Sequence, residues 1–176
     1  TGTGSMAAIL GLEDTLIIKM CQKASNKGVV EAVNFNSPGQ VVIAGEKNAV
    51  AHACELMKEA GAKRALVLPV SVPSHCSLMK GAADKFKTYI EFVDLKAGNV
   101  KVIHNVDADY AGDIKDIKAK LVEQLHMPVL WTSSVNKMQE SGVEKIIEVG
   151  PGKVLAGLTR RIDKSLSASA IIDVGS

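Results

Sequence analysis

The chain has 176 residues, 47% of them hydrophobic and 23% charged. That length suits one sizeable domain or two small ones around a buried core, and the balance excludes intrinsic disorder and fibrous low-complexity structure. A net charge of +2 and only 3% aromatic residues argue against a nucleic-acid or anionic-membrane surface.

The elements follow in chain order. Residues 5–10 are small and apolar and read as a strand. Glu13 and Asp14 give an acidic start to a helix with Ile17, Met20 and Cys21 on one face. Residues 29–35 are rich in β-branched side chains and read as a second strand. Pro38 and Gly39 suit the two central positions of a type II turn, and residues 41–44 form the third strand. A helix over 47–60 places Val50, Ala53, Cys54 and Met57 on one stripe, Gly61 stops it, and residues 64–70 form the fourth strand. This β-α-β-β-α-β order is the split βαβ arrangement of ferredoxin-like domains, and residues 1–70 are assigned to such a small subdomain.

Residues 71–176 have a different rhythm. A helix carries Leu78, Ala82, Phe86 and Ile90, residues 100–104 read as a strand, and a further helix carries Ile114, Ile117, Leu121 and Leu125. Pro128 breaks the chain before a helix marked by Trp131, Val135 and Met138. A strand at 146–149, a tight turn at 150–152, a helix with Val154, Leu155, Leu158 and Ile162, and a short strand at 170–172 complete it. Apolar strands separated by helices imply a parallel sheet covered on both faces. Three strands make a narrow sheet, as if part of something larger. The expected fold class is therefore α/β.

No apolar run approaches the roughly 20 residues that a membrane span needs. Cys21, Cys54 and Cys76 show no CxxC or Cys/His clustering, which disfavours a disulfide scaffold or zinc site and fits a reducing cytosol. No metal and no cofactor are expected, and a cytoplasmic location is. The first residues lack a secretory signal and an initiator Met, which leaves upstream residues open.

Among candidate chemical groups, His75 comes first: it follows a strand and a Pro-containing turn and opens a helix, where open α/β sheets place their sites. His104, beside Asn105, reads as a strand-terminal residue satisfied by backbone, and His52 and His126 read as surface residues. Gly150-Pro151-Gly152-Lys153 lacks the full phosphate-loop pattern and reads as a tight strand-to-helix turn. Arg160-Arg161 with Lys164, and Lys58 with Lys63-Arg64, are solvated clusters by default, or docking patches for a small acidic protein or phosphorylated cofactor. Cys21 and Cys54 fall on core-facing stripes, and Cys76 adjoins His75 but should point away from it. There is no GxSxG elbow, so the residues offer a base without a nucleophile.

Three stretches carry a resemblance: residues 30–45 (VEAVNFNSPGQVVIAG), 68–79 (LPVSVPSHCSLM) and 148–155 (EVGPGKVL). Together they resemble the malonyl-CoA:acyl carrier protein transacylases of bacterial type II fatty-acid synthesis, over essentially the whole chain. The resemblance implies an α/β-hydrolase-like large subdomain, its C-terminal part at 71–176, with an inserted ferredoxin-like small subdomain at 1–70. It implies ping-pong transfer of a malonyl group from malonyl-CoA to the phosphopantetheine thiol of acyl carrier protein through a malonyl-serine. His75 matches the base of the family's PSH motif. Gln124 matches the glutamine whose carbonyl orients it, here taken as the side-chain amide. Asn36, placed in the turn beside the cleft, is the substrate-side candidate. The family's GQGxQ loop, GHSxG serine and carboxylate-binding arginine find no match, so the chain looks like the C-terminal part and is expected to be inactive alone. The complete enzyme is expected to be a monomer without nucleic-acid or membrane partners. Two alternatives are a non-catalytic ferredoxin-like binding module and an acyltransferase segment of a polyketide or fatty-acid synthase.

Overall fold

The computed structural model of the protein describes residues 4–96 and 98–171. Its first part is a four-stranded antiparallel sheet of β1 (Gly4–Leu10), β2 (Val30–Ser37), β3 (Gln40–Glu46) and β4 (Arg64–Val67), in the order β2-β3-β1-β4. Helices α1 (Asp14–Ala24) and α2 (Lys47–Glu59) connect β1 to β2 and β3 to β4. Each helix buries the stripe that its periodicity announces: Ile17, Met20 and Cys21 from α1, and Val50, Ala53, Cys54 and Met57 from α2. They meet Ala7, Ile9, Val41 and Ile43 in one core on a single face of the sheet.

The β2–β3 hairpin turns on Pro38 and Gly39, and Gly39 has φ 71°, which the second central position of a type II turn requires. β2 is irregular. A bulge between Ala32 and Asn34 lets Ala32 and Phe35, three residues apart, both pack on the helix-side core. Val33 faces the other side, with Met6, Val42, Ala44 and Cys76. Asn36 therefore lies within β2, beside a second register shift, and not in the turn where it was expected.

β4 is shorter than the expected 64–70. The last ladder contact is Leu68 N–H to Met6 O at 2.9 Å, and Pro69, with no N–H, cannot continue it. The chain then crosses the second face of the sheet. Pro73 lies against Gly4, where a Cβ would overlap the proline ring.

The remainder is helical with one small parallel sheet. A 3-10 turn (Ser77–Met79) leads into α3 (Lys80–Ile90), which packs on α4 (Ile114–Glu123) through Ala83, Ile90 and Val122. Helix α5 (Trp131–Glu140) follows, then β5 (Lys145–Val149), α6 (Val154–Ile162) and β6 (Ser167–Ile171), a βαβ unit whose two strands are parallel. The expected strand at 100–104 is absent; the segment keeps a single bridge, Ile103 to Tyr110. A strand needs a neighbour for its N–H and C=O groups, and Val100 and Val102 are instead 80% and 59% exposed. The parallel sheet has two strands among the described residues, not three, and Ile172 of the expected last strand lies outside them.

Candidate active site

His75 is held from both sides of a sharp turn. Its φ is 64°, a left-handed backbone that non-glycine residues adopt only where the surroundings enforce it. The enforcing contacts come from the end of α4. Helix termini leave carbonyls without intrahelical partners, and two consecutive ones here accept from a single residue. His75 N–H donates to the Leu125 carbonyl at 3.2 Å, and His75 Nδ1 donates to the Gln124 carbonyl at 2.6 Å.

A carbonyl oxygen can only accept, so the proton of the neutral ring sits on Nδ1. Nε2 is left with its lone pair, the form a general base requires. The orienting oxygen belongs to the main chain of Gln124, not to its side-chain amide as expected from sequence. The side chain at 124 is therefore free of this task.

Cys76, next in sequence, turns inward. It is fully buried with Val33 and Ala44, and its Sγ donates to the Pro73 carbonyl at 3.2 Å. Burial pushes its thiol up from the ordinary range, the opposite of what a nucleophile needs. Cys21 and Cys54 are core residues, and burial pushes the Cys21 thiol up to about 12.

β2 carries the other side of the site. Residues after α4 run alongside it: Val129 N–H donates to Val33 O at 2.8 Å, and Phe35 N–H donates to Val129 O at 3.0 Å. Thr132 Oγ1 adds a bond to Phe35 O at 3.1 Å. Asn36 is half-buried just beyond this contact.

The other candidates fall elsewhere. His104 is tied through its main chain, N–H to Asp109 O at 3.0 Å, in keeping with a backbone-satisfied position. His52 lies 3.6 Å from Glu55 on α2, and His126 lines a groove between α3 and α4 of about 850 Å³. At residues 150–153 the helix N-terminus already has an anion. The Glu148 carboxylate accepts from Ala156 N–H at 2.9 Å, which removes the phosphate-loop reading. Neither Gly150 nor Gly152 has positive φ.

The two basic clusters do meet. Lys63 and Arg161 line one recess of about 440 Å³ with residues 10–13 and the 37–40 hairpin, and Arg161 Nη1 donates to Gln40 Oε1 at 2.7 Å. Among the described residues, no group of three His, Cys, Asp or Glu side chains gathers to hold a metal.

Sequence reasoning named Leu125 only as an apolar residue of its helix; its contribution to the site is a main-chain oxygen, which leaves no mark on residue type. It also passed over Lys120, whose near-buried ammonium bonds Asp107 at 2.7 Å and the Tyr110 carbonyl at 2.9 Å.

No family model matches the chain. The malonyl CoA-acyl carrier protein transacylase of Escherichia coli (strain K12) is 56% identical over 170 residues, covering 97% of this chain and 55% of that protein. An acyl carrier protein S-malonyltransferase from Vibrio cholerae superposes with a TM-score of 0.96 at 57% identity, covering 98% of this chain and 56% of that one. A malonyl-transacylase solved with its type II PKS acyl-carrier protein gives the same TM-score at 49% identity, with 98% and 56% coverage. The proteins the chain resembles are acyltransferases by name. Over the residues that it spans, its likeness is to the C-terminal part of malonyl-CoA:acyl carrier protein transacylases. It spans about half the length of the relatives it matches.

Proposed function

We propose that this chain supplies the base and the small subdomain for malonyl transfer from malonyl-CoA to the phosphopantetheine thiol of acyl carrier protein. The observation that carries the reading is the His75–Gln124 contact, in which Nδ1 donates to a carbonyl and Nε2 is the nitrogen left for proton transfer. In the reaction, Nε2 takes the proton of a serine hydroxyl as that oxygen attacks the malonyl thioester. The resulting imidazolium returns the proton to the departing CoA thiolate. In the second half the same nitrogen takes the proton of the carrier thiol, whose sulfur attacks the malonyl-serine ester, and the imidazolium returns that proton to the departing serine oxygen. The serine is not among these 176 residues: the sequence holds no GxSxG.

Residues 1–70 are read as the ferredoxin-like small subdomain and 71–176 as the C-terminal part of an α/β-hydrolase-like large one. The strand order β2-β3-β1-β4 supports the first assignment. The exposed apolar residues of the parallel pair, Ile147, Val149 and Ile171, support the second, because parallel sheets are ordinarily covered on both faces. Asn36 is assigned to the substrate side. The recess lined by Lys63, Arg161 and Glu13 is assigned to docking of the carrier protein.

The test measures malonyl loading of holo acyl carrier protein by intact mass. The 176-residue chain alone should give none, and detectable transfer by it would refute the reading. In the longer polypeptide that includes the serine, His75→Ala should lower transfer by roughly 10²–10⁴-fold. Activity within threefold of the parent would remove His75 from the mechanism.

A further inference from the structure

The contacts around β2 tie the base and its orienting carbonyl to one strand. Val33 packs on Cys76, and Glu31, two residues earlier on the same face, reaches the next residue along. Its carboxylate accepts twice from Ser77: from the N–H at 2.9 Å and from the hydroxyl at 2.6 Å. The same strand holds Val129, five residues beyond Gln124, through Val33 and Phe35. β2 therefore grips both partners of the His75–Gln124 contact, the base from its C-terminal side and the carbonyl from beyond the end of α4.

We propose that Glu31 is a positioning residue for the His75 base. His75 sits at φ 64° and is fastened to α4 by two hydrogen bonds on one side of the turn. Such a backbone persists only when contacts on both sides over-determine it. On the C-terminal side, Cys76 is buried and Ser77 is clamped by charge-assisted bonds, which are the stronger kind. Ser77 also opens the 3-10 turn into α3, and no side chain at Cys76 caps that start. The Glu31 carboxylate takes that place, so the start of the helix, and with it the ring two residues back, is fixed relative to β2 rather than drifting with α3.

The inference rests on the reading of His75 as the base, and the experiment separates the two. In the complete enzyme, Glu31→Ala should lower kcat about tenfold while KM for malonyl-CoA stays within about twofold, because the loss is of geometry and not of substrate contact. Glu31→Gln, which keeps the shape and one acceptor, should lose only about threefold. The ¹⁵N spectrum of the His75 ring should show the Nδ1–H tautomer in the parent and a mixture in Glu31→Ala. Ser77→Ala, which removes one of the two bonds, is the milder variant should Glu31→Ala fold poorly, and it should match Glu31→Gln. A Glu31→Ala enzyme with parental kcat and tautomer overturns the proposal, as does a fall in kcat that the tautomer does not accompany. If His75→Ala retains transfer, it is the assignment of the base that fails, and the ring spectrum alone then judges Glu31.

Discussion

Replacing Gln124 by alanine should leave the base oriented, because the accepting atom is the main-chain oxygen of that residue. Position 124 has helical backbone, φ −58° and ψ −18°, which alanine adopts readily. The Nδ1 to carbonyl contact at 2.6 Å would therefore persist. A part-buried hydrogen bond of this kind contributes about 1 kcal/mol net, equivalent to about a fivefold bias in a two-state ratio. The two nitrogens of a histidine ring are distinct, and this bias is what favours the Nδ1–H tautomer. If the side-chain amide were the acceptor, Gln124→Ala would reverse the ratio and slow transfer. With the main chain as acceptor, the Nδ1–H tautomer should be retained and malonyl transfer in the complete enzyme should stay within about threefold. The assays are long-range ¹H–¹⁵N correlation on the ring and malonyl loading of the carrier. A switch of His75 to the Nε2–H form in the alanine variant would refute the reasoning.

Three further outcomes are expected. The buried thiols Cys21, Cys54 and Cys76, each held above the ordinary range by burial, should resist a disulfide reagent at pH 8 in the native protein and react in denaturant; native labelling of Cys76 would contradict its place in the core. Lys120→Met strands the Tyr110 carbonyl and leaves Asp107 and Asp116 unpaired, and should cost about 2 kcal/mol. That corresponds to a melting point lower by about 4–8 °C, and an unchanged melting curve would show that the network contributes nothing. Gly4→Ala should drive a Cβ into the Pro73 ring, cost about 1–3 kcal/mol and shift the His75 resonances through the intervening loop; an unperturbed His75 signal would separate Gly4 from the site.

Much of the first part was legible because its signals are local. The stripes of α1 and α2, the Pro38-Gly39 turn and the Gly61 stop (φ 96°) each act over a few residues, and each stands where the pattern placed it. The overlong fourth strand ignored the missing N–H of Pro69, which was visible in the sequence. The strand expected at 100–104 failed for another reason: its apolar residues are present, but no neighbouring strand pairs with more than Ile103. His75 stood out by residue type and setting, whereas its partners did not.

The sequence by itself determined the α/β character, the split βαβ order and the identity of the imidazole, because apolar period and residue type are written in the chain. Only the tertiary structure decided what holds that imidazole. Main-chain carbonyls are the same at every residue, so nothing in the letters at 124 and 125 reveals that the end of α4 accepts from His75. Nor do they reveal that Glu31 meets Ser77 across 46 positions. Those contacts exist because the bulged β2 strand brings both segments together, and proximity of that kind is a property of the folded chain.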